Sequence, residues 1–402
     1  MTIVKPDYYN KFCCIADKCD FTCCGNWEIG VDTDTYEKWK KLNIDEMESL
    51  INYTLQKDDA YIINLNEHRS CPFLTDKGLC KIVLTHGEEN ISDTCHTFPR
   101  EKREYFNRTE YGLALGCKSV IDILWQQEDF SVWVSKENDD ENKDNLKETD
   151  EQEIYFELRD YFMEILSDKN RCKNPAEALK VIFIILLDII DRIDKTDIDI
   201  YNDDNTFTDE FRVYENEIIT QVIRETDLSK LFAFVSEESS SKIDRFIEDN
   251  ELLLDIMENY RIKGIYKEYI EPVARCAMEY ENTQYQNIDE MKLIEFDDFF
   301  QQYNDKLRLI VKEEIYDSLL PAMDDIYCIA MKIEWLAVEY TVISQWMRLN
   351  LLNNLNVSES ELRQCIAVVF RMTGYSDEDI VEYMEDSFED SVWDYGYFDL
   401  IV

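Results

Sequence analysis

The chain has 402 residues, 45% of them apolar, and 87 acidic against 42 basic side chains give a formal net charge of −45. This is enough apolar sequence to bury a core in two or three domains. The charge argues against nucleic acid as a partner, because phosphate would be repelled and no basic stripe compensates. The first ten residues lack the apolar stretch of a secretory signal, so the expected compartment is the cytoplasm. The most apolar run, Val181 to Ile190, is too short to cross a bilayer and contains Asp188, so it reads as a buried helix rather than a membrane insertion.

Five of the 13 cysteines fall between Cys13 and Cys24, and nine lie within the first 117 residues. The next segment, Trp27 to Asp32, alternates like a short strand. Asp34 to Leu50 has apolar residues at helical spacing, and Tyr61 to Leu65 reads as a second strand. From Cys71 to Ile82 the sequence reads as a hairpin whose Asp76-Lys77-Gly78 turn brings Cys71 and Cys80 together. A helix is expected from Glu88 to Cys95, stopped by Pro99, and another from Tyr111 to Trp125, carrying Cys117.

Residues 136–152 hold a single apolar side chain among many charges, the composition of a solvated linker or loop. Beyond it, helical periodicity covers Ile154–Leu166, Pro175–Ile193, Phe211–Arg224, Ile243–Tyr280, Lys292–Leu319, Met323–Leu351, Glu359–Met372 and Asp377–Asp390. Pro175 stands in the first turn of its helix, where a missing N–H costs nothing. The expected fold is therefore mainly α. A small cysteine-rich α+β N-terminal domain (1–135) is followed by an acidic linker or loop (136–152) and an all-α helical domain (153–402).

So many thiols without a secretory signal point away from disulfides and toward a metal or cluster. Structural zinc commonly uses C-x2-C pairs, and none occurs here, whereas a 4Fe-4S cluster accepts four thiolates at irregular spacing. Iron–sulfur is thus favoured over zinc. The radical C-x3-C-x2-C series is broken, because Cys19 and Cys23 are followed by Asn26, and no Gly-rich dinucleotide loop occurs. Cys172, Cys276, Cys328 and Cys365, scattered singly through helical patterns, read as apolar filling.

P-D-Y-Y-N-x-F, C-I-A-D-K-C-D-F-T-C-C-G-N-W, C-P-F-L-T-D-K-G-L-C-K-I and H-G-E-E-N-I-S-D-T-C-H-T-F-P-R, in this order and at these intervals, resemble the flagellin lysine-N-methylase family with its cysteine-rich zinc- or iron-chelating domain. The resemblance implies a cytoplasmic enzyme with a 4Fe-4S cluster that transfers a methyl group from S-adenosyl-L-methionine to lysines of flagellin. By position, the family's cysteines are Cys14, Cys19, Cys23, Cys24, Cys71, Cys80, Cys95 and Cys117, with Cys13 additional. Lys118-Ser119 stands where the family tends to have Pro-Glu, and Thr373-Gly374-Tyr375-Ser376 replaces a Glu-His pair. Of the opening run, one or two thiols, with Cys23 or Cys24 favoured, are expected to complete a cluster with Cys71, Cys80 and Cys95.

A lysine amine with a pKa near 10.4 must lose a proton before it can accept a methyl group. Aromatic faces suit sulfonium and methylammonium cations, which makes Trp27, Tyr105, Phe106, Trp335, Tyr340 and Trp346 candidate walls. Arg100 is a candidate anchor for the cofactor carboxylate. His96 stands beside Cys95 as a ligand or thiolate donor, and Glu88 and Glu89 are candidate bases or helix-capping charges. The same thiols also fit an iron–sulfur electron-transfer protein without methylase activity, or a zinc-stapled helical adaptor.

Overall fold

The computed structural model describes the chain apart from residues 46–47, 58–59, 137–152, 203–205, 238–239, 321–324, 356, 375–376 and 389–391. The expected linker therefore lies outside the described residues, save Lys136. The strands are β1 (Thr2–Pro6), β2 (Gly30–Val31), β3 (Asn43–Asp45), β4 (Glu48–Ser49), β5 (Thr54–Lys57), β6 (Ala60–Ile63), β7 (Arg100–Glu104), β8 (Arg108–Leu113) and β9 (Val132–Lys136). Short helices α1 (Thr33–Trp39), α2 (Lys81–His86), α3 (Asp93–Thr97) and α4 (Lys118–Leu124) lie among them. The rest is helical: α5 (Glu153–Ser167), α6 (Pro175–Ile193), α7 (Asp209–Glu225), α8 (Leu228–Val235), α9 (Lys242–Lys263), α10 (Lys267–Asn282), α11 (Glu290–Phe300), α12 (Asn304–Ser318), α13 (Ile326–Leu352), α14 (Glu359–Thr373), α15 (Asp377–Phe388) and α16 (Tyr395–Ile401). The protein is mainly α with small sheets, and no described helix is long and apolar enough to cross a membrane.

The body helices start where side chains cap them. Asn174, Thr208, Ser241 and Ser358 each accept a hydrogen bond from a first-turn N–H of α6, α7, α9 and α14. α13 is buried on nearly every side and packs against α6, α9 and α14, as expected for a helix apolar all round. The single helix expected over 243–280 is two helices. Gly264 adopts a left-handed φ of 67° and the Ile265 N–H returns to the Tyr260 carbonyl, a C-terminal cap that only a residue without Cβ takes without strain. Likewise the 292–319 helix is interrupted at Gln301–Tyr303 by a 3-10 turn.

Three expected helices of the first part are corrected. α1 ends at Trp39, and the β3–β4 pairing returns the chain so that Trp39 and Leu50 meet in one small core. The 88–95 segment is a 3-10 turn followed by α3, because the Ser92 hydroxyl accepts the Cys95 N–H and opens a new helix there. Tyr111 belongs to β8, and the helix of that region begins only after Cys117.

The four-stranded sheet runs β7-β8-β1-β9. β1 lies parallel to β8 and antiparallel to β9, with Val4 opposite Glu110 and Val134. Buried charges tie this sheet to the helices. Arg159 of α5 binds Glu110 of β8 at 2.6 and 2.9 Å, and Arg103 of β7 binds Asp317 of α12 at 2.6 Å. Gly112 permits the second contact, since a Cβ there would lie 1.5 Å from the Asp317 carboxylate. Val4, Tyr8, Phe12 and Phe21 share the large core with the body helices, while Ile29, Val31, Trp39, Leu50, Ile63, Cys71, Phe73 and Ile82 form the separate small one.

Candidate metal centre and adjoining cavity

Two junctions gather the thiols. In the first, residues 24–26 run antiparallel to 69–71, with the Cys71 N–H donating to the Cys24 carbonyl at 2.8 Å and Gly25 bridging Ser70. Gly25 is required there, because a Cβ would meet the Arg69 carbonyl at 2.5 Å. The turn from Thr75 to Leu79 then folds the chain back so that Leu74 bridges Cys80. Cys80 stands just before α2, where the N–H groups of Val83 and Ile82 face its sulfur, and Cys95 lies in α3. Cys24, Cys71, Cys80 and Cys95 all lie within electrostatic reach of one another.

The second junction is made by Arg371 of α14. Its guanidinium donates to the carbonyls of Gly116 at 2.7 Å, Thr22 at 2.8 Å and Phe21 at 3.4 Å, and lies 4.2 Å from the Phe21 ring centre. Lys118 meets Asp20 at 3.4 Å. These contacts set Cys19 and Cys23 near Cys117, which precedes α4 with its sulfur facing the N–H groups of Val120 and Ser119. Cys14 joins through Cys19, and its sulfur accepts the Ala16 N–H at 3.4 Å. Adjacent residues Cys23 and Cys24 link the two sets, whereas Cys13 is exposed. Of the scattered cysteines, Cys172 and Cys365 are buried and Cys276 and Cys328 half-buried.

Burial, with like charge from the neighbouring thiols, pushes Cys71 up to about 12 and also raises Cys80. The hydrogen bond with Cys23 holds Cys24 down, to about 6, and raises Cys23. A single ion needs donors at about 2.0–2.3 Å from it, and among the described residues no three Cys, His, Asp or Glu side chains are grouped to hold one. Backbone N–H groups face several of the sulfurs: that of Phe73 at Cys71, those of Val83 and Ile82 at Cys80, and those of Val120 and Ser119 at Cys117.

The other sequence candidates fall in different places. Trp27 donates its indole N–H to the Cys23 carbonyl at 2.7 Å and packs on Phe98. Arg100 donates to the Phe12 carbonyl at 3.3 Å and lies over the Phe12 ring. His96 is exposed, 4.0 Å from Glu88. Tyr105 packs edge-on against Phe156, Phe106 is exposed, and Trp346 is buried in the helical body.

Trp335 instead lines a cavity of about 300 Å³ where the sheet meets α12, α13 and α14. Its charged wall comprises Glu101, Glu314, Asp317, Lys332 and Glu339. Asp317 is taken by Arg103, whereas the charge of Lys332 acts on both Glu314 and Glu339. Glu339 is only 3% exposed and accepts the Thr373 hydroxyl at 2.6 Å. Burial raises its carboxyl well above the ordinary range, and burial likewise raises Glu314 to about 7. Gly116 is part of the same wall, one residue before Cys117, so the cavity adjoins the second thiol set. Arg371, Glu314 and Glu339 do not stand out among the many charged residues of the sequence. The available signal was a glutamate inside the apolar run W-L-A-V-E-Y.

The protein is thus mainly α, with two sets of gathered thiols, the second of them adjoining an acidic cavity. Over 140 residues, 32% of its length, it is 26% identical to the flagellar biosynthetic protein FliU of Salmonella muenchen, covering 80% of that protein. At the same identity and extent it is similar to the lysine-N-methylases of Salmonella typhimurium and Salmonella choleraesuis. It spans about a third, 34%, of the length of those two methylases. No family model and no solved structure matches the chain.

Proposed function

We propose that this chain is a cytoplasmic protein-lysine N-methyltransferase that uses S-adenosyl-L-methionine, acts on flagellin and carries a 4Fe-4S cluster in its cysteine-rich first part. Its similarity to proteins named lysine-N-methylase carries the reading. The donor chemistry suits the cluster: all the gathered ligands are sulfur, and backbone N–H groups face the sulfurs of Cys71, Cys80 and Cys117. Cys24, Cys71, Cys80 and Cys95 would hold it, and Cys14, Cys19, Cys23 and Cys117 offer a second set of four. When bound, such a cluster supplies one-electron chemistry or a rigid, charge-bearing scaffold. The chain's own residues position it: the Cys24–Cys71 pairing and the first turns of α2 and α3 fix the first set, and Arg371 anchors the second to the helical body. The acidic surface favours approach of a lysine-bearing substrate.

The test is anaerobic purification with iron and sulfide analysis, followed by methyl transfer from labelled S-adenosyl-L-methionine to flagellin of the same organism. Iron, sulfide and labelled lysine together support the reading. Stoichiometric zinc without iron, or iron-loaded protein that leaves flagellin unlabelled, refutes it.

A further inference from the structure

We infer that the cavity between the sheet and helices α12 to α14 binds an organic ammonium group, the side-chain amine of a lysine-bearing substrate, with Glu339 and Glu314 as its counter-charge. The identity of the amine rests on the methylation reading; the sign of its charge rests on the cavity. At about 300 Å³ the space is at the small end of ligand pockets. It admits a four-carbon stem with its amine and excludes a folded segment of a partner. The apolar wall, from Ile333, Trp335 and Leu336, suits such a stem, and aromatic surface near a cation adds attraction.

The charges decide between ligand classes. Four carboxylates line the space against Lys332, and only Asp317 and Glu101 are met by Arg103. An anion would be repelled, and a neutral ligand would leave Lys332 as the cation facing both Glu314 and Glu339, which keeps the cost of ionising either of these buried carboxyls high. A cation removes that cost. Glu339 is held from one side by the Thr373 hydroxyl while its residue is 97% removed from solvent, so the carboxylate is fixed rather than free to turn away. Burial gives it high proton affinity. It therefore also suits the step a lysine must undergo before it can act as a nucleophile: one N–H proton passes from the ammonium to the Glu339 oxygen, leaving a neutral amine with its lone pair and a neutral carboxylic acid.

The probe is n-butylammonium, the lysine side chain without its backbone, titrated calorimetrically into the full-length protein beside n-butanol as the uncharged control. Saturable binding of one butylammonium per chain, absent for butanol and weakened at least tenfold in both Glu339→Gln and Glu314→Gln, is the expected result. Should one variant fail to fold, the other carries the comparison, with melting temperature and metal content as the check. Butanol binding as tightly, no saturable binding, or unchanged affinity in a folded variant overturns the inference. Methyl transfer to flagellin is scored separately. Ammonium binding that depends on Glu339, without any transfer, sinks the methylation reading and leaves the cavity; transfer unimpaired by Glu339→Gln sinks the cavity and leaves the reading.

Discussion

Glu314→Gln should stabilise the protein, and by an amount that depends on pH. The carboxyl is raised from 4.5 to about 7 by burial; the contact with Ser318 opposes this, Asp317 adds to it, and Lys332 and Arg103 act against it. A displacement of that size means that the folded state binds the proton more tightly than the unfolded chain by about 3 kcal/mol. The sign follows from linkage. The raised pKa gives its full benefit below the unfolded value of about 4.5, and stability falls as the pH rises toward 7, because the folded protein holds a proton that the unfolded chain has released. Glutamine keeps the shape and does not titrate. The gain of the variant over wild type should therefore be near zero at pH 4.5 and approach about 3 kcal/mol at pH 8. Urea unfolding of both proteins at half-unit steps from pH 5 to 8 measures it. A difference that stays flat with pH, or a variant less stable at pH 8, would refute burial as the cause of the raised proton affinity of Glu314.

Single replacement of Cys24, Cys71, Cys80 or Cys95 by Ser should remove iron and sulfide from the purified protein, while Cys13→Ser should leave both unchanged; elemental analysis decides. Arg371→Ala should cost about 1–3 kcal/mol, from lost charge-assisted hydrogen bonds to three carbonyls. Lysine should rescue it poorly, because one ammonium cannot span that fork, as thermal melts would show. Trp39→Ala, which empties the small core and removes the indole bond to the Asn90 carbonyl, should cost about 3–5 kcal/mol and expose the 24–91 segment to limited proteolysis before the helical body. Arg159→Ala should cost about 3–5 kcal/mol by leaving Glu110 buried without its bidentate partner, measured by denaturant unfolding.

The helical body was legible because its information is local. α6 runs from Pro175 to Ile193, as its apolar spacing and N-terminal proline indicate, and α5, α7 and α14 differ from their sequence limits by a residue or two. The sheet was not legible, because β1 pairs with β8 more than a hundred residues away and strand preference depends on those neighbours. Tyr111 and Leu113 fit a helical count as well as a strand, and only the partners of β8 decide between them. The turn bringing Cys80 back toward Cys71 could be read from Asp76-Lys77-Gly78, where Gly78 takes a positive φ. The division of the thiols could not, since it depends on Arg371, 254 residues beyond Cys117. The cavity was hidden for the same reason: its wall is drawn from positions between Glu101 and Ile380.

The shared large core bears on how this protein can be taken apart. Tyr8 donates to Glu313, Lys312 reaches Asp129 at 2.7 Å, and Val4, Phe12 and Phe21 are covered by the same core as the body helices. A nick anywhere between Lys136 and Glu153 would therefore break the chain without separating its halves. The two fragments should co-elute as a native-sized complex, and, expressed as separate polypeptides, should find each other and restore one folded protein.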